Sequence, residues 1–187
     1  MHRHDGFYMR LGLGVSYIGA KLDTEPTALH ASAAGYALEF ALGGTVADGL
    51  VIGGGAYAAG TSTIKWKADN LGSGSVSGGP ASMSVLGVFA DYYPNPKDGF
   101  HVQGALGIGG MSFARDSDSG IPLENWSGGV GGAMLGVGYE FWVGRQWSIG
   151  AVGRVLLVSG TLRGQDSDVD FSAKSYAPSL LFAATNH

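Results

Sequence analysis

From Phe7 onward, apolar residues alternate with small or polar ones. Phe7, Met9, Leu11, Leu13, Val15 and Tyr17 occupy the odd positions, and Tyr8, Arg10, Gly12, Gly14 and Ser16 the even ones. Successive side chains of a strand point to opposite faces, so this period of two predicts a β-strand with one greasy face and not a helix. The greasy face returns as Tyr36, Leu38, Phe40 and Leu42, as Leu86, Val88, Ala90 and Tyr92, and as Phe100, Val102, Leu106 and Ile108. It returns again as Leu135, Val137, Tyr139, Phe141 and Val143, as Trp147, Ile149, Ala151, Val155 and Leu157, and as Tyr176, Pro178, Leu180, Phe182 and Ala184. Pro178 is a misfit, tolerable at a bulge or where its missing donor is not needed.

The Gly- and Ala-rich residues 50–60 complete a set of eight strands. Their phase depends on the preceding turn. A two-residue Asp48-Gly49 loop would turn Val51 and Tyr57 outward, whereas a three-residue Ala47-Asp48-Gly49 loop turns Leu50 and Ile52 outward, and the second is preferred. Residues 47–49, 94–99 and 144–146 are tight connections, while 20–34, 61–81, 114–128 and 160–173 read as long loops. With no internal repeat, residues 1–187 read as one antiparallel meander and a single domain.

The second face of these strands is built from Gly, Ala and Ser with a few isolated ions, a poor surface to show to water. The assignment therefore inverts: the apolar face meets lipid, and the small and polar face fills a narrow lumen. An open sheet edge in hydrocarbon would leave unpaired backbone groups costing several kcal/mol each, so the sheet must close. Eight strands leave an interior just wide enough for side chains to fill. The fold class expected is all-β, an eight-stranded antiparallel up-and-down transmembrane barrel. Arg10, Glu39, Asp91, Glu140 and Arg154 are the charged residues of the well-patterned strands, and all fall on the inward face. Phe7, Tyr17, Tyr36, Tyr92, Phe100, Tyr139, Phe141 and Trp147 fall towards strand ends on the outward face, where interfacial girdles belong.

Composition agrees with this reading. The 187 residues include 34 Gly and are 45% hydrophobic but only 14% charged, an odd balance for a soluble domain that suits a lipid-facing surface and a cramped lumen. A net charge of −4 without a basic block argues against nucleic acid as a partner. The absence of Cys excludes disulfide scaffolds, thiolate zinc sites and cysteine nucleophiles. No run approaches the roughly 18 apolar residues of a spanning helix. The opening Met1-His2-Arg3-His4-Asp5-Gly6 lacks an apolar h-region, so a mature chain without its signal peptide is expected.

Buried ions must be paired. The tight turn at 94–99 brings Asp91 opposite His101 and Gln103, and Arg10 with Glu39 and Arg154 with Glu140 are the cross-lumen partners expected. Such a network either lines a selective pore or plugs the lumen and fixes register, and the plug is the simpler reading. The histidines His2, His4, His30, His101 and His187 do not sit beside a Ser and a carboxylate at a spacing that marks nucleophilic activation. The alternating carboxylates of 115–120 and 166–170 suggest calcium but lack a full ligand set, so solvated loops, no metal and no cofactor are expected. Residues 64–67, Ile-Lys-Trp-Lys, suit either an exposed hairpin or an extension of the third strand with its lysines near headgroup phosphates.

With its strand alternation and its opening Asp5-Gly6-Phe7-Tyr8-Met9-Arg10-Leu11-Gly12-Leu13-Gly14, the chain resembles small eight-stranded bacterial outer-membrane barrels of the OmpA, OmpX and OmpW kind. It departs from them at the end, where such barrels often finish on an aromatic residue and this chain closes Phe182-Ala183-Ala184-Thr185-Asn186-His187. The resemblance implies an outer-membrane location, short turns towards the periplasm, long loops outside, and the lipid bilayer and lipopolysaccharide as partners of a monomer. The role expected is structural, adhesive or surface-recognition, exercised through the loops and without enzymatic activity. The alternatives are a narrow channel for water, ions or small apolar solutes and, after it, a lipid A-modifying enzyme.

Overall fold

The computed structural model describes residues 6–24, 27–68, 76–114, 125–165 and 170–187. Its extended segments are β1 (Phe7–Thr24), β2 (Thr27–Ala47), β3 (Leu50–Thr61), β4 (Ile64–Ala68), β5 (Val76–Gly78), β6 (Ala81–Tyr92), β7 (Phe100–Phe113), β8 (Trp126–Trp142), β9 (Trp147–Gly164) and β10 (Asp170–Asn186). Around the ring the order is β1-β2-β3-β6-β7-β8-β9-β10, every neighbouring pair is antiparallel, and β10 closes on β1. The chain is thus an eight-stranded up-and-down barrel. β4 pairs with β2 beyond the end of β3, and β5 pairs with β4, so these two short strands prolong existing staves.

Closure gives the backbone its partners without water. Pro178 is accommodated because the β1–β10 ladder passes from Ser16 opposite Ser179 to Gly19 opposite Tyr176, leaving the missing donor in the gap. The turn before β3 is the two-residue Asp48-Gly49 loop, with Ala47 opposite Leu50, and not the three-residue loop preferred from the sequence; the register shift between Thr45 and Ala47 restores the phase that the longer loop would have given. Ile52 points outward, while Val51 and Tyr57 are buried.

Along its axis the barrel has two chemically distinct sections. Tyr17, Tyr36 and Tyr176 mark one level of the outer wall on the adjacent strands β1, β2 and β10, and Phe7, Tyr92, Phe100, Tyr139, Phe141 and Trp147 ring the end that carries the short turns, all of them exposed. On β1 the two levels are separated by about ten residues, the length a tilted strand needs to cross hydrocarbon. Between them the outward side chains are apolar, large on most strands, with Leu86 67% and Ile108 77% exposed, and small on β3, while Arg10, Glu39, Asp91, Glu140 and Arg154 point inward and are buried.

Beyond the tyrosine level the polarity of the two faces is reversed. Ile18, Leu22, Ile64, Trp66, Phe113, Trp126 and Leu162 point inward and are buried, whereas Lys21, His30, Lys65, Lys67, Arg163 and Lys174 are exposed on the outside. Trp66 meets Phe113 at 5.2 Å and Trp126 at 5.6 Å between ring centroids, and Trp126 in turn meets Phe171 at 5.7 Å. This end is therefore built like a soluble barrel, with a core inside and charge outside.

That reversal corrects the expectation of long loops. Segments 20–34 and 160–173 are largely strand, paired out to Thr24 opposite Thr27 and Arg163 opposite Asp170, and 61–81 contains β4 and β5. Once the outward face leaves lipid for water, apolar residues switch to the inner face, and an alternation that changes phase reads in the sequence as no alternation. Leu13→Arg, on the lipid face between the two aromatic levels, is expected to cost about 2–4 kcal/mol. Thr161→Arg, outward on the extension, is expected to stay within about 0.5 kcal/mol. Equilibrium unfolding of vesicle-inserted protein measures both.

Candidate functional site

The polar groups of the lumen converge on Arg10, delivered by the inward face of β1 and fully buried. Its Nη2 lies 2.8 Å from Asp91 Oδ2 and donates to Glu140 Oε1 at 2.8 Å and to the Tyr93 hydroxyl at 3.0 Å. Its Nη1 donates to Gln103 Oε1 at 2.7 Å, and its Nε to Thr185 Oγ1 at 3.2 Å. One guanidinium thus ties together β1, β6, β7, β8 and β10 across the barrel. The carboxylates are held in turn. Asp91 accepts from the Tyr8 hydroxyl and lies 2.8 Å from His101 Nδ1, and Glu140 accepts from Ser148 and Thr185, both at 2.7 Å.

A second cluster sits further from the short turns. Arg154 Nη1 donates to Glu39 Oε2 at 3.0 Å, while Nη2 donates to the carbonyls of Leu38 at 2.8 Å and Ala58 at 3.0 Å. Its guanidinium lies over the Tyr57 ring at 5.5 Å. Glu39 joins the clusters, since its other oxygen is 3.8 Å from Arg10 Nη1. Beneath Arg10, towards the short turns, the His187 ring packs among Tyr8 (5.6 Å), Tyr93 (5.9 Å) and Trp142 (5.0 Å) and lies 3.5 Å from Glu140. Lumen glycines make this density possible: a Cβ on Gly138 would fall where the His101 ring lies.

No protein-family model matches the chain, and no curated protein does. Solved structures do. OprG from Pseudomonas aeruginosa is similar over 100% of this chain and 98% of its own, with 15% identity and a TM-score of 0.60. Neisserial surface protein A is similar over 97% of this chain and 96% of its own, with 15% identity and a TM-score of 0.50. The fold is that of a small outer-membrane β-barrel. At such identities the shared property is the wall of this barrel, while its lumen and rim have to be read from their own residues.

All seven lumen residues singled out from the sequence, Arg10, Glu39, Asp91, His101, Gln103, Glu140 and Arg154, lie inside the barrel and belong to the two joined clusters. The pairing of Asp91 with His101 holds, but that of Arg154 with Glu140 does not. Across the β8–β9 ladder Glu140 stands opposite Gly150 and Arg154 opposite Gly136, so Arg154 sits four residues along the barrel and reaches over to Glu39 instead. Arg10 has its short ion pairs with Asp91 and Glu140, and only the longer one with Glu39.

Tyr8, Tyr93, Ser148, Thr185 and His187 also belong to the site. Parity places Tyr8, Tyr93, Ser148 and Thr185 on the inward face, whereas His187 lies past the last patterned strand, where alternation carries no information. Folding also unites Ser148, 3.3 Å from His187, with Glu140, a grouping no sequence spacing announces. Ser148 is fully enclosed. Of the acidic runs, 115–120 and 166–169 lie outside the described residues, and Asp170 accepts from Arg163 Nε at 2.9 Å, which holds its carboxyl below the usual carboxylate range.

Breaking a buried ion network by removing one partner strands the others, so Arg10→Met is expected to cost about 3–5 kcal/mol. Lys97→Ala in a short turn should stay within about 0.5 kcal/mol. In double-mutant cycles, Arg154→Gln is expected to couple more strongly to Glu39→Gln than to Glu140→Gln, by about 1 kcal/mol or more. Urea unfolding in vesicles reads all of these.

Proposed function

We propose that this outer-membrane barrel is a closed, non-enzymatic protein that acts through the surface of its loop-bearing end, in a structural, adhesive or surface-recognition role. The observation that carries the reading is that the lumen is filled twice over. Near the short turns the Arg10 network spans the bore with no exposed guanidinium, and at the other end Trp66, Phe113 and Trp126 close on one another. Permeation would require the Arg10 hydrogen bonds to be given up together. The enclosure of Ser148 speaks in the same way against attack on a lipid, because no substrate can reach its hydroxyl.

Extension of the staves beyond the tyrosine level also supports this reading. A rigid, core-filled projection holds a recognition surface in place better than free loops, since less conformational entropy is lost when a partner binds. In planar bilayers the protein is expected to give no reproducible conductance steps, and Arg10→Ala to stay silent as well, because the aromatic filling of Trp66, Phe113 and Trp126 remains in place. Steady unitary steps from the unaltered protein would instead support the narrow channel, and a change in the mass of lipid A on incubation would support catalysis.

A further inference from the structure

Four buried polar atoms of the lumen have no hydrogen-bonding partner among the described residues, and they gather where the two charge clusters meet. They are Glu39 Oε1, Tyr57 Oη, Gln103 Nε2 and Arg154 Nε, on residues only 0–5% exposed. Glu39 Oε1 and the Gln103 amide flank one nitrogen, for Arg10 Nη1 lies 3.8 Å from the first and donates to Gln103 Oε1 at 2.7 Å. Gln103 Nε2 is 2.9 Å, and Arg154 Cβ 3.2 Å, from the point that a Cβ on Gly136 would occupy, so Arg154 rises beside the Gln103 amide. Its guanidinium then runs over the Tyr57 ring to the other oxygen of Glu39. The Tyr57 hydroxyl folds back towards the Arg10 end, into the space that a Cβ on Gly55 would take.

Room beside the hydroxyl comes from glycine. Gly55 on β3 stands opposite Gly87 on β6, and Gly87 opposite Gly107 on β7. By their parity with Tyr57, Asp91 and Gln103 these glycines face inward, so adjacent staves present a bare inner wall. Donors and acceptors are both left over: the N–H groups of Gln103 and Arg154, a carboxylate oxygen of Glu39, and a hydroxyl of Tyr57 that serves either way. An anion would meet the Glu39 carboxylate, and a cation would meet two guanidiniums. The ligand that fits is neutral, small, and able to donate and accept at once.

We propose that this site binds ordered water, with Gln103 Nε2 and Arg154 Nε donating to it, Glu39 Oε1 accepting from it, and the Tyr57 hydroxyl completing its shell. A buried water typically makes about three hydrogen bonds to polar groups that would otherwise have none. Here it links the Arg10 cluster to the Arg154 cluster, whose direct ionic contact is the long approach of Arg10 to Glu39. The inference rests on the reading of the lumen as closed, because enclosure by the fillings on both sides is what makes the water long-lived.

Water–protein NMR of the full chain in detergent micelles tests the site. The Gln103 side-chain N–H groups are expected to show cross-peaks at the water frequency whose rotating-frame sign marks dipolar contact with a long-lived molecule and not proton exchange. Tyr57→Phe should keep those cross-peaks, which excludes relay through the hydroxyl. In urea it should lower the folded-to-unfolded ratio about fivefold, because a hydroxyl bonded to water is lost, whereas deleting a hydroxyl with no partner would raise that ratio. Tyr57→Phe and Gln103→Met, which share no direct bond, are expected to be coupled about threefold or more in a double-mutant cycle. An unchanged or raised ratio for Tyr57→Phe, independent effects of the two substitutions, or missing cross-peaks in a barrel that is silent in planar bilayers would each overturn the proposal. Missing cross-peaks together with steady conductance steps would overturn the closed lumen and this site with it, so the two failures are distinct results. Heat-modifiable gel mobility establishes that each variant is folded.

Discussion

A backbone amide or carbonyl in hydrocarbon has no water to turn to, and leaving one unpaired costs several kcal/mol. Every larger feature of this protein follows from that constraint. Eight strands can satisfy one another only by closing, which here means β10 pairing back onto β1. Closure at this strand number gives a bore of about side-chain width. The faces are then assigned without further choice, since each strand must show lipid on one side and a confined interior on the other.

Confinement explains the chemistry of the bore. Two guanidiniums and three carboxylates share a space with no exposed charge, and all but Glu39 are held by several hydrogen-bonding partners at once, Glu39 being held by Arg154 with Arg10 3.8 Å from its other oxygen. Arg10 suits the centre because a guanidinium offers five donors in a plane and can serve groups from several staves. Removal of water is also what gives the network its rigidity, for the same contacts in an exposed pair such as Arg163–Asp170 would contribute little. The resulting plug is polar near the short turns and aromatic at the far end, and the two fillings share one continuous interior.

The two sections of the barrel show how one sheet serves two solvents. Strand pairing is indifferent to what lies outside, so the ladder runs on past the tyrosines without a break on β1 and β2. Side-chain polarity is not indifferent. In the bilayer the apolar residues face out and the ions face in; in water Leu22, Ile64, Trp66 and Leu162 turn in while lysines face out. At the boundary, lysines follow directly on the apolar outer wall, because each stave changes character where the membrane ends.

The amino-acid sequence by itself determined the strand count of the ring, the phase of the well-patterned strands, the closure and the inward placement of the ions, because these follow from a local period of two and one rule about backbone groups in lipid; the phase of β3 was decided by the register shift between Thr45 and Ala47. Even Tyr8, Ser148 and Thr185 were assigned a face by parity alone. What it left open were relations between distant strands. Whether Arg154 meets Glu140 or Glu39 depends on how the staves are staggered around the ring, and no alternation records stagger. The strand extensions were hidden because their alternation changes phase, and the meeting of Glu39, Tyr57, Gln103 and Arg154 joins four different strands. Those features were decided only by the tertiary structure, since register across a closed sheet is set by the sum of all its pairings and by no single segment.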